Sequence, residues 1–290
     1  MDDLSKKVFL VTGATDGIGK QTAISLARTG GTVLLHGRNR EKCEAAAEEI
    51  RRRTGNHKLR CYVADYVSLE QVRRVSEEIL RREDRLDALI NNAGIGAGKL
   101  SDKERKRSED GHELRFAVNY LAPYLLTRRV HPLLTKSAPS RIVNVASVGQ
   151  KELSFENIMS DRDYDPFDAY KQSKLALVMF TLESALRWQA SGIAANCLHP
   201  GSLLNTKMVR ESIPVGFGSA KSGADHVVRL AVSPELEGTT GRYFDKRQDV
   251  PAHPQAYDAE FRKRLWSYTE GLIRQYLDDS KISDNGAWSL

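Results

Sequence analysis

Cysteine is scarce in this chain. Cys43, Cys61 and Cys197 are the only three in 290 residues, and no two form a C-x-x-C pair. Zinc and disulfide frameworks need paired spacings, so reduced structural thiols are expected. The seven histidines contain no H-x-x-x-H pair, and no metal site is expected. No run approaches the roughly 18 to 20 uncharged apolar residues of a membrane span. The N-terminus, Met1-Asp-Asp-Leu-Ser-Lys-Lys7, is acidic where a secretory signal is basic, and no apolar segment of signal length follows it. A soluble, cytoplasmic chain is the expectation. No Pro/Gly/Ser-rich linker and no internal repeat divides it, so one domain is expected.

The composition is otherwise that of a folded domain. Hydrophobic residues make up 40% and charged residues 28%, which excludes a disordered, collagen-like or disulfide-scaffold chain. A net charge of +6 raises the question of nucleic acid. The densest basic runs are Arg51-Arg52-Arg53 and Lys103-Glu-Arg-Lys-Arg107. The first closes an Ala/Glu-rich helical segment, where cations suit the negative end of the dipole. The second is interrupted by Glu104, and neither is interleaved with aromatics. Both read as solvated surface, and no nucleic-acid partner is expected.

What the chain does have is alternation. Short apolar runs at 8–11, 32–35, 59–64, 88–90, 141–145, 193–198 and 241–244 are separated by longer amphipathic segments. Several are apolar at consecutive positions, the pattern of strands covered on both faces in a parallel sheet. Ser68 and Gln71 read as a capping box ahead of a stripe through Val72, Val75, Ser76 and Ile79. Further helices are expected over 113–134 and 169–188. The pattern specifies an α/β fold, a doubly wound parallel sheet of about seven strands, in one domain over residues 1–277. Residues 278–290 are polar and read as a loose tail.

Directly after the first apolar run stands Thr12-Gly13-Ala-Thr-Asp-Gly17-Ile-Gly19-Lys20, leading into a helical stripe through Ala23, Leu26 and Ala27. One glycine permits a tight turn, another lets backbone N–H groups approach a pyrophosphate, and a third allows close helix packing. The helix start adds free amides and a positive dipole end. Between a strand and a helix, these glycines indicate dinucleotide binding.

The G-x-x-x-G-x-G spacing is joined by Asn91-Asn92-Ala93-Gly94, Asn119, Ser147, Tyr170-x-x-x-Lys174 and His199-Pro200-Gly201. In this order the motifs resemble the short-chain dehydrogenase/reductase family, over about residues 7–275. Arg141-Ile-Val-Asn-Val-Ala-Ser147 and Arg242-Tyr-Phe244 are most similar to its retinol-dehydrogenase-like, carbonyl-reducing branch. The resemblance implies a Rossmann fold of strand order 3-2-1-4-5-6-7 and hydride transfer between a nicotinamide cofactor and a small carbonyl or alcohol substrate. It assigns Gly13, Thr15, Asp16, Gly17, Ile18, Gly19, Asn39, Asn92, Ala93, Gly94, Pro200, Gly201 and Leu203 to the cofactor, with Asp65 and Tyr66 beside the adenine. Where an NAD enzyme carries Asp or Glu, at the end of the second strand, this chain has His36-Gly37-Arg38-Asn39-Arg40. Arg38 can meet a 2′-phosphate with a charge-assisted fork, so NADP(H) is favoured over NAD(H).

Four side chains carry the expected chemistry. Tyr170 and Lys174 stand one turn apart on one helix face. A nearby ammonium favours tyrosinate and lowers a phenol pKa from about 10, which suits Tyr170 to acid–base work. Lys174 is further expected to hold the nicotinamide ribose. Ser147 follows the fifth strand at the carboxyl end, where ligands bind in open α/β sheets, and is expected to orient the substrate oxygen. Asn119 is a mediocre helix former inside 113–134 and reads as a buried amide bonded to backbone. The resemblance adds a water link from it to Lys174.

Other features depart from compact relatives. The segment between Gly94 and Gly111 is long and charged, a modified rim, and 22 residues separate Ser147 from Tyr170. Some relatives carry a membrane anchor, and none is expected here. Leu203, Leu204, Met208, Val209, Ile213, Val215 and Phe217 fall where relatives have a mobile lid, about 202–222. They fit a lipophilic or aromatic substrate, and equally the packing of a short helix. Relatives pair the helices corresponding to 113–134 and 169–188 across a two-fold axis, so a homodimer or homotetramer is expected. The alternatives are an NAD-dependent alcohol dehydrogenase of the same fold, a non-catalytic NADP-binding regulator, and a nucleotide-sugar epimerase. Retention of Tyr170 and Lys174 argues against the regulator; the loop spacing and the roughly 90 residues after Gly201 argue against the epimerase.

Overall fold

A computed structural model describes residues 3–98, 103–202 and 218–277. The strands are β1 (Val8–Val11), β2 (Thr32–Gly37), β3 (Leu59–Val63), β4 (Ala88–Asn91), β5 (Ser140–Val145), β6 (Ile193–His199), β7 (Arg242–Asp245) and β8 (Gln248–Asp249). They form one sheet in the order β3-β2-β1-β4-β5-β6-β7-β8. The first seven are parallel, in the expected order, and β8 folds back antiparallel on β7. The sequence reading misses β8 because its two exposed residues, entered through Lys246 at φ +57°, carry no apolar pattern.

β1 shows why the apolar runs are continuous. Val8 and Leu10 point into one core, Phe9 and Val11 into the other, and all four are buried. One face is covered by α1 (Gly17–Ala27), α2 (Arg40–Thr54) and α6 (Ala220–Val232). The other is covered by α3 (Leu69–Arg82), α4 (Ala122–Lys136) and α5 (Pro166–Trp188), with α7 (Ala259–Ile273) packed on α4 and α5. Local chemistry sets the helix ends. Asn39 caps α2 by accepting from Lys42 N, and Gly55 ends it in the left-handed region at φ +69°. Asp165 caps α5, with Pro166 at its first position.

Three local expectations need correction. Ser68 stands at the N-cap of α3, but its side chain makes no cap bond. Asp110 Oδ2 instead accepts from Leu69 N at 2.9 Å, while Gln71 Oε1 accepts from Asp65 N at 2.9 Å. The helix start is capped by a tertiary carboxylate, and Gln71 is turned to Asp65 rather than back to Ser68. Second, the 113–134 segment is no single helix: an α-turn (Leu114–Phe116) runs into a π-helical turn (Ala117–Leu121) before α4. Third, the 103–107 run is only partly solvated. Arg105 donates to Met159 O and Ser160 O, and it pairs with Asp161 at 2.9 Å.

The two helices that the resemblance pairs between subunits are here both packed against α7 of the same chain. Trp266 of α7 meets Tyr124, Phe180 and Trp188 with ring centroids 5.0, 5.8 and 5.8 Å away. Tyr120 hydroxyl bonds Thr269 at 2.7 Å, and Arg128 pairs with Glu270. Among the described residues, no helix is long and apolar enough to cross a membrane. The expected tail at 278–290 lies outside the described residues, as do Leu203 and most of the expected lid.

Because Trp266 anchors α7 on both helices, Trp266→Ala is expected to cost about 3–5 kcal/mol in urea unfolding. A loss below about 1 kcal/mol would mean that α7 is not coupled to the core.

Candidate active site

The site lies where β1, β4 and β5 end. Thr12 closes β1, and its hydroxyl donates to Ile90 O and accepts from Asn92 N and Ala93 N, both at 2.9 Å. Asn92 Nδ2 returns a bond to Thr12 O at 2.8 Å. Sequence reading included Thr12 in the motif without giving it this role. The glycine loop is thereby drawn onto the end of β4. A Cβ at Gly19 would lie 2.2 Å from Gly13 O and 2.4 Å from Asn92 Nδ2, and Gly13 itself has φ +65°. Only glycine permits this approach, which leaves the N-terminus of α1 open above the turn. Asp16 caps that helix through Gly17 N at 2.7 Å, and Ile18 packs against the core below. Thr15 fills the space over Gly37, where a Cβ would meet its Cγ2 at 2.5 Å. This cradle fits a dinucleotide.

The flanks are less uniform. Arg38 is exposed and makes no hydrogen bond or ion pair among the described residues, while Arg40 is paired with Glu44 at 3.6 Å. Asp65 Oδ1 accepts from Val67 N at 3.2 Å. Tyr66 is buried, stacked on His36 with centroids 4.7 Å apart. Burial holds that histidine neutral, its pKa down at about 4, with Nε2–H assigned as donor to Ala64 O. Pro200 O accepts from His226 Nδ1 at 3.0 Å, and Gly201 has φ +131°.

On the other side, the four expected catalytic side chains come together. Asn119 sits in the π-helical turn, fully buried; its amide donates to Ile95 O and Ser173 Oγ and accepts from Ile95 N, at 2.8 to 3.0 Å. The backbone-bonded amide read from the sequence is what the structure contains. A Cβ at Gly94 would lie 2.9 Å from Asn119 Oδ1 and 3.5 Å from Lys174 Nζ. Likewise, a Cβ at Gly149 would lie 3.4 Å from Ser147 Oγ and 3.9 Å from Tyr170 Cε1. Gly94 thus makes room for Asn119 and Lys174, and Gly149 lies against Ser147 and Tyr170. Ser147 is held from behind: its carbonyl accepts from Tyr243 hydroxyl at 3.1 Å and Gln150 Nε2 at 2.9 Å. Sequence reading missed both supports: Tyr243 lies 96 residues away, and Gln150, three residues on, belongs to none of the motifs.

The electrostatics reverse one expectation. Lys174 is buried, donates to Val145 O at 2.9 Å, and is driven down to about 8 by desolvation. Its ammonium lies 5.9 Å from the Tyr170 ring centroid. In the protein alone, burial raises the Tyr170 phenol above its ordinary value, and it is the Ser147 hydroxyl that pulls it down. The expected lowering by Lys174 gives way to desolvation, and Ser147 supplies the one opposing effect.

The profile of the family described as short chain dehydrogenase matches residues 7–214. The chain belongs to that family. It is therefore an oxidoreductase acting on alcohols and carbonyls, and it is retinol-dehydrogenase-like. Retinol dehydrogenase 13 of Homo sapiens is 40% identical over 286 residues, covering 92% of this chain and 84% of the relative. Retinol dehydrogenase 11 of Homo sapiens is 34% identical, covering 95% and 88%. Among solved structures, one from Mycobacterium paratuberculosis superposes with a TM-score of 0.75 at 28% identity, over 93% of this chain and 94% of that one. A short-chain dehydrogenase from Shigella flexneri, complexed with NADP, gives 0.68 at 28% identity, over 86% and 100%.

The buried ammonium carries a pH signature. Lys174 titrates at about 8 folded against an ordinary 10.5, so the unfolded chain binds more protons between those values. The cost of burying the charge is full below pH 8 and fades as pH rises. The cofactor-free protein should therefore gain stability relative to Lys174→Met between about pH 8 and pH 10 in urea unfolding. An unchanged difference across that window would overturn the buried-ammonium reading.

Proposed function

We propose that this dehydrogenase uses NADP(H) to interconvert the carbonyl and alcohol of a small lipophilic substrate, with retinal and retinol the first pair to assay. The observation that carries the reading is the convergence of Ser147, Tyr170, Lys174 and Asn119 around Gly94 and Gly149, beside the glycine cradle. A bound nicotinamide supplies or accepts the hydride. Gly13, Thr15, Asp16, Gly17, Ile18, Gly19, Asn92, Ala93, Gly94, Pro200 and Gly201 would hold the dinucleotide, with Asn39, Asp65 and Tyr66 at its adenosine end. Arg38, the arginine left unpaired at the end of β2, would take a 2′-phosphate. The NADP in the Shigella flexneri complex and the names of the retinol dehydrogenase relatives support the cofactor and the substrate class.

The chain's own groups divide the work. Ser147 positions the substrate oxygen next to the Tyr170 hydroxyl. Burial keeps the phenol in the protonated form that the reducing direction needs, and it hands its proton to the oxygen as negative charge develops there. Lys174, partly charged near pH 8, stabilises the tyrosinate left behind, and Asn119 keeps the 94–95 backbone beside it. Subunit pairing through α4 and α5 would have to use the faces that α7 leaves open.

Tyr170→Phe is expected to lower kcat about 10²–10⁴-fold while leaving NADPH binding intact. Near wild-type turnover would remove the acid–base role. Arg38→Ala should weaken NADPH roughly 10- to 100-fold, the value of a lost charge-assisted bond, and leave NADH nearly unaffected. Side-by-side thermal-shift titrations would show it, and an unaltered preference would refute the 2′-phosphate assignment.

A further inference from the structure

Cys43 and Cys61 are unrelated in the sequence, but the fold brings them together. Cys43 lies in the first turn of α2, and its thiol donates to Leu35 O at 3.3 Å. Leu35 is the register partner of Cys61 on β3, so the Cys43 thiol rests on the residue paired with Cys61. Cys43 belongs to the core beneath α1 and α2, and Cys61 packs on that same core. The Leu35 contact, the strand register and the shared core therefore place both thiols on the same face of the sheet, beneath α2.

Their surroundings differ in the way a reactive pair requires. Cys43 is fully buried, whereas Cys61 is half-buried on the edge strand of the sheet. The contact with Cys43 holds the Cys61 thiol below its ordinary pKa, helped by Arg40 and Arg51 against burial and Glu44. Cys43 is raised by its bond with Cys61 and by burial. The partly exposed thiol, which an oxidant can reach, is the nucleophile, and a neighbouring buried thiol can resolve it. Cys197 lies in the core on the other face of the sheet, pushed up to about 12 by burial.

We propose that Cys43 and Cys61 form a peroxide-responsive dithiol site whose oxidation alters the cofactor-binding end of α2. The Cys61 thiolate attacks one oxygen of a hydroperoxide and breaks the O–O bond, giving a sulfenic acid and, from hydrogen peroxide, water. The Cys43 thiol then attacks that sulfur, forming the S–S bond and expelling a second water. Two thiols lose two electrons, the peroxide gains them, and both thiol protons leave in water. The consequence for the cofactor rests on the proposed role of Arg38. Cys43 N donates to Asn39 O at 3.1 Å, and Asn39 caps the helix directly after Arg38. Drawing the Cys43 sulfur from Leu35 O to Cys61 shifts this first turn.

The test treats the full chain with hydrogen peroxide and counts thiols under denaturing conditions. Two of the three thiols should be lost together and recovered with dithiothreitol, Cys197 remaining free. Tryptic mapping should yield residues 43–51 linked to 61–73. In Cys61→Ser the disulfide should be absent, with Cys43 unreacted. Oxidation of Cys61 alone to sulfinic acid, or equal reaction of Cys197, would overturn the site. Isothermal titration with NADPH reads the second half: the oxidised protein should bind more weakly, and dithiothreitol should restore it. Equal affinity in both forms would overturn the coupling and leave the disulfide standing. A reduced protein that does not bind NADPH would refute the cofactor reading, and the coupling with it.

Discussion

A single hydroxyl holds the working end of this molecule together. Thr12 Oγ1 accepts two backbone N–H groups from the end of β4 and donates to Ile90 O, and Asn92 answers with a bond to the Thr12 carbonyl. These bonds draw β1 and β4 together at their ends, where a parallel ladder would otherwise leave polar groups unsatisfied. The glycine requirement follows from this closeness. With Gly19 packed against Gly13 O and Asn92 Nδ2, no side chain can be added. The open N-terminus of α1 and the backbone leading to Gly94 are consequences of the same contact.

From Gly94 the constraint passes to the reacting groups. The absent Cβ at this position is where Asn119 Oδ1 and Lys174 Nζ come close. Lys174 is then committed to Val145 O, one residue short of the segment that presents Ser147. Desolvation disfavours the charged forms of both Lys174 and Tyr170, which brings Lys174 down toward working pH and keeps Tyr170 protonated. A π-helical turn at Asn119 interrupts what would otherwise be an ordinary helix, and it is this turn that aims the amide at the Ile95 backbone. The reducing dehydrogenase chemistry proposed here depends on these buried polar groups being satisfied by one another.

Much of this was legible in the residues. Continuous apolar runs announced strands buried on both faces, and the glycine, Asn-Ala-Gly and Tyr-x-x-x-Lys spacings marked the cradle and the helix face. The errors share a cause. The Ser68–Gln71 box does not close because Gln71 is engaged by Asp65 N, and the distant Asp110 carboxylate takes Leu69 N. β8 and the Arg105 anchorage depend on partners with no local pattern. The Tyr170 phenol moved opposite to expectation because burial, which no spacing reports, raises it.

The sequence by itself determined what depends on short range: strand and helix periodicity, the φ-permissive glycines and the one-turn separation of Tyr170 from Lys174. Those follow from backbone geometry and near-neighbour hydrogen bonding. The tertiary structure alone decided which groups meet and how they ionise. It set Tyr243 behind Ser147, laid α7 over α4 and α5, and brought Cys43 to Cys61. Contacts of this kind join residues far apart in the chain, and their energies depend on how much water the finished fold excludes.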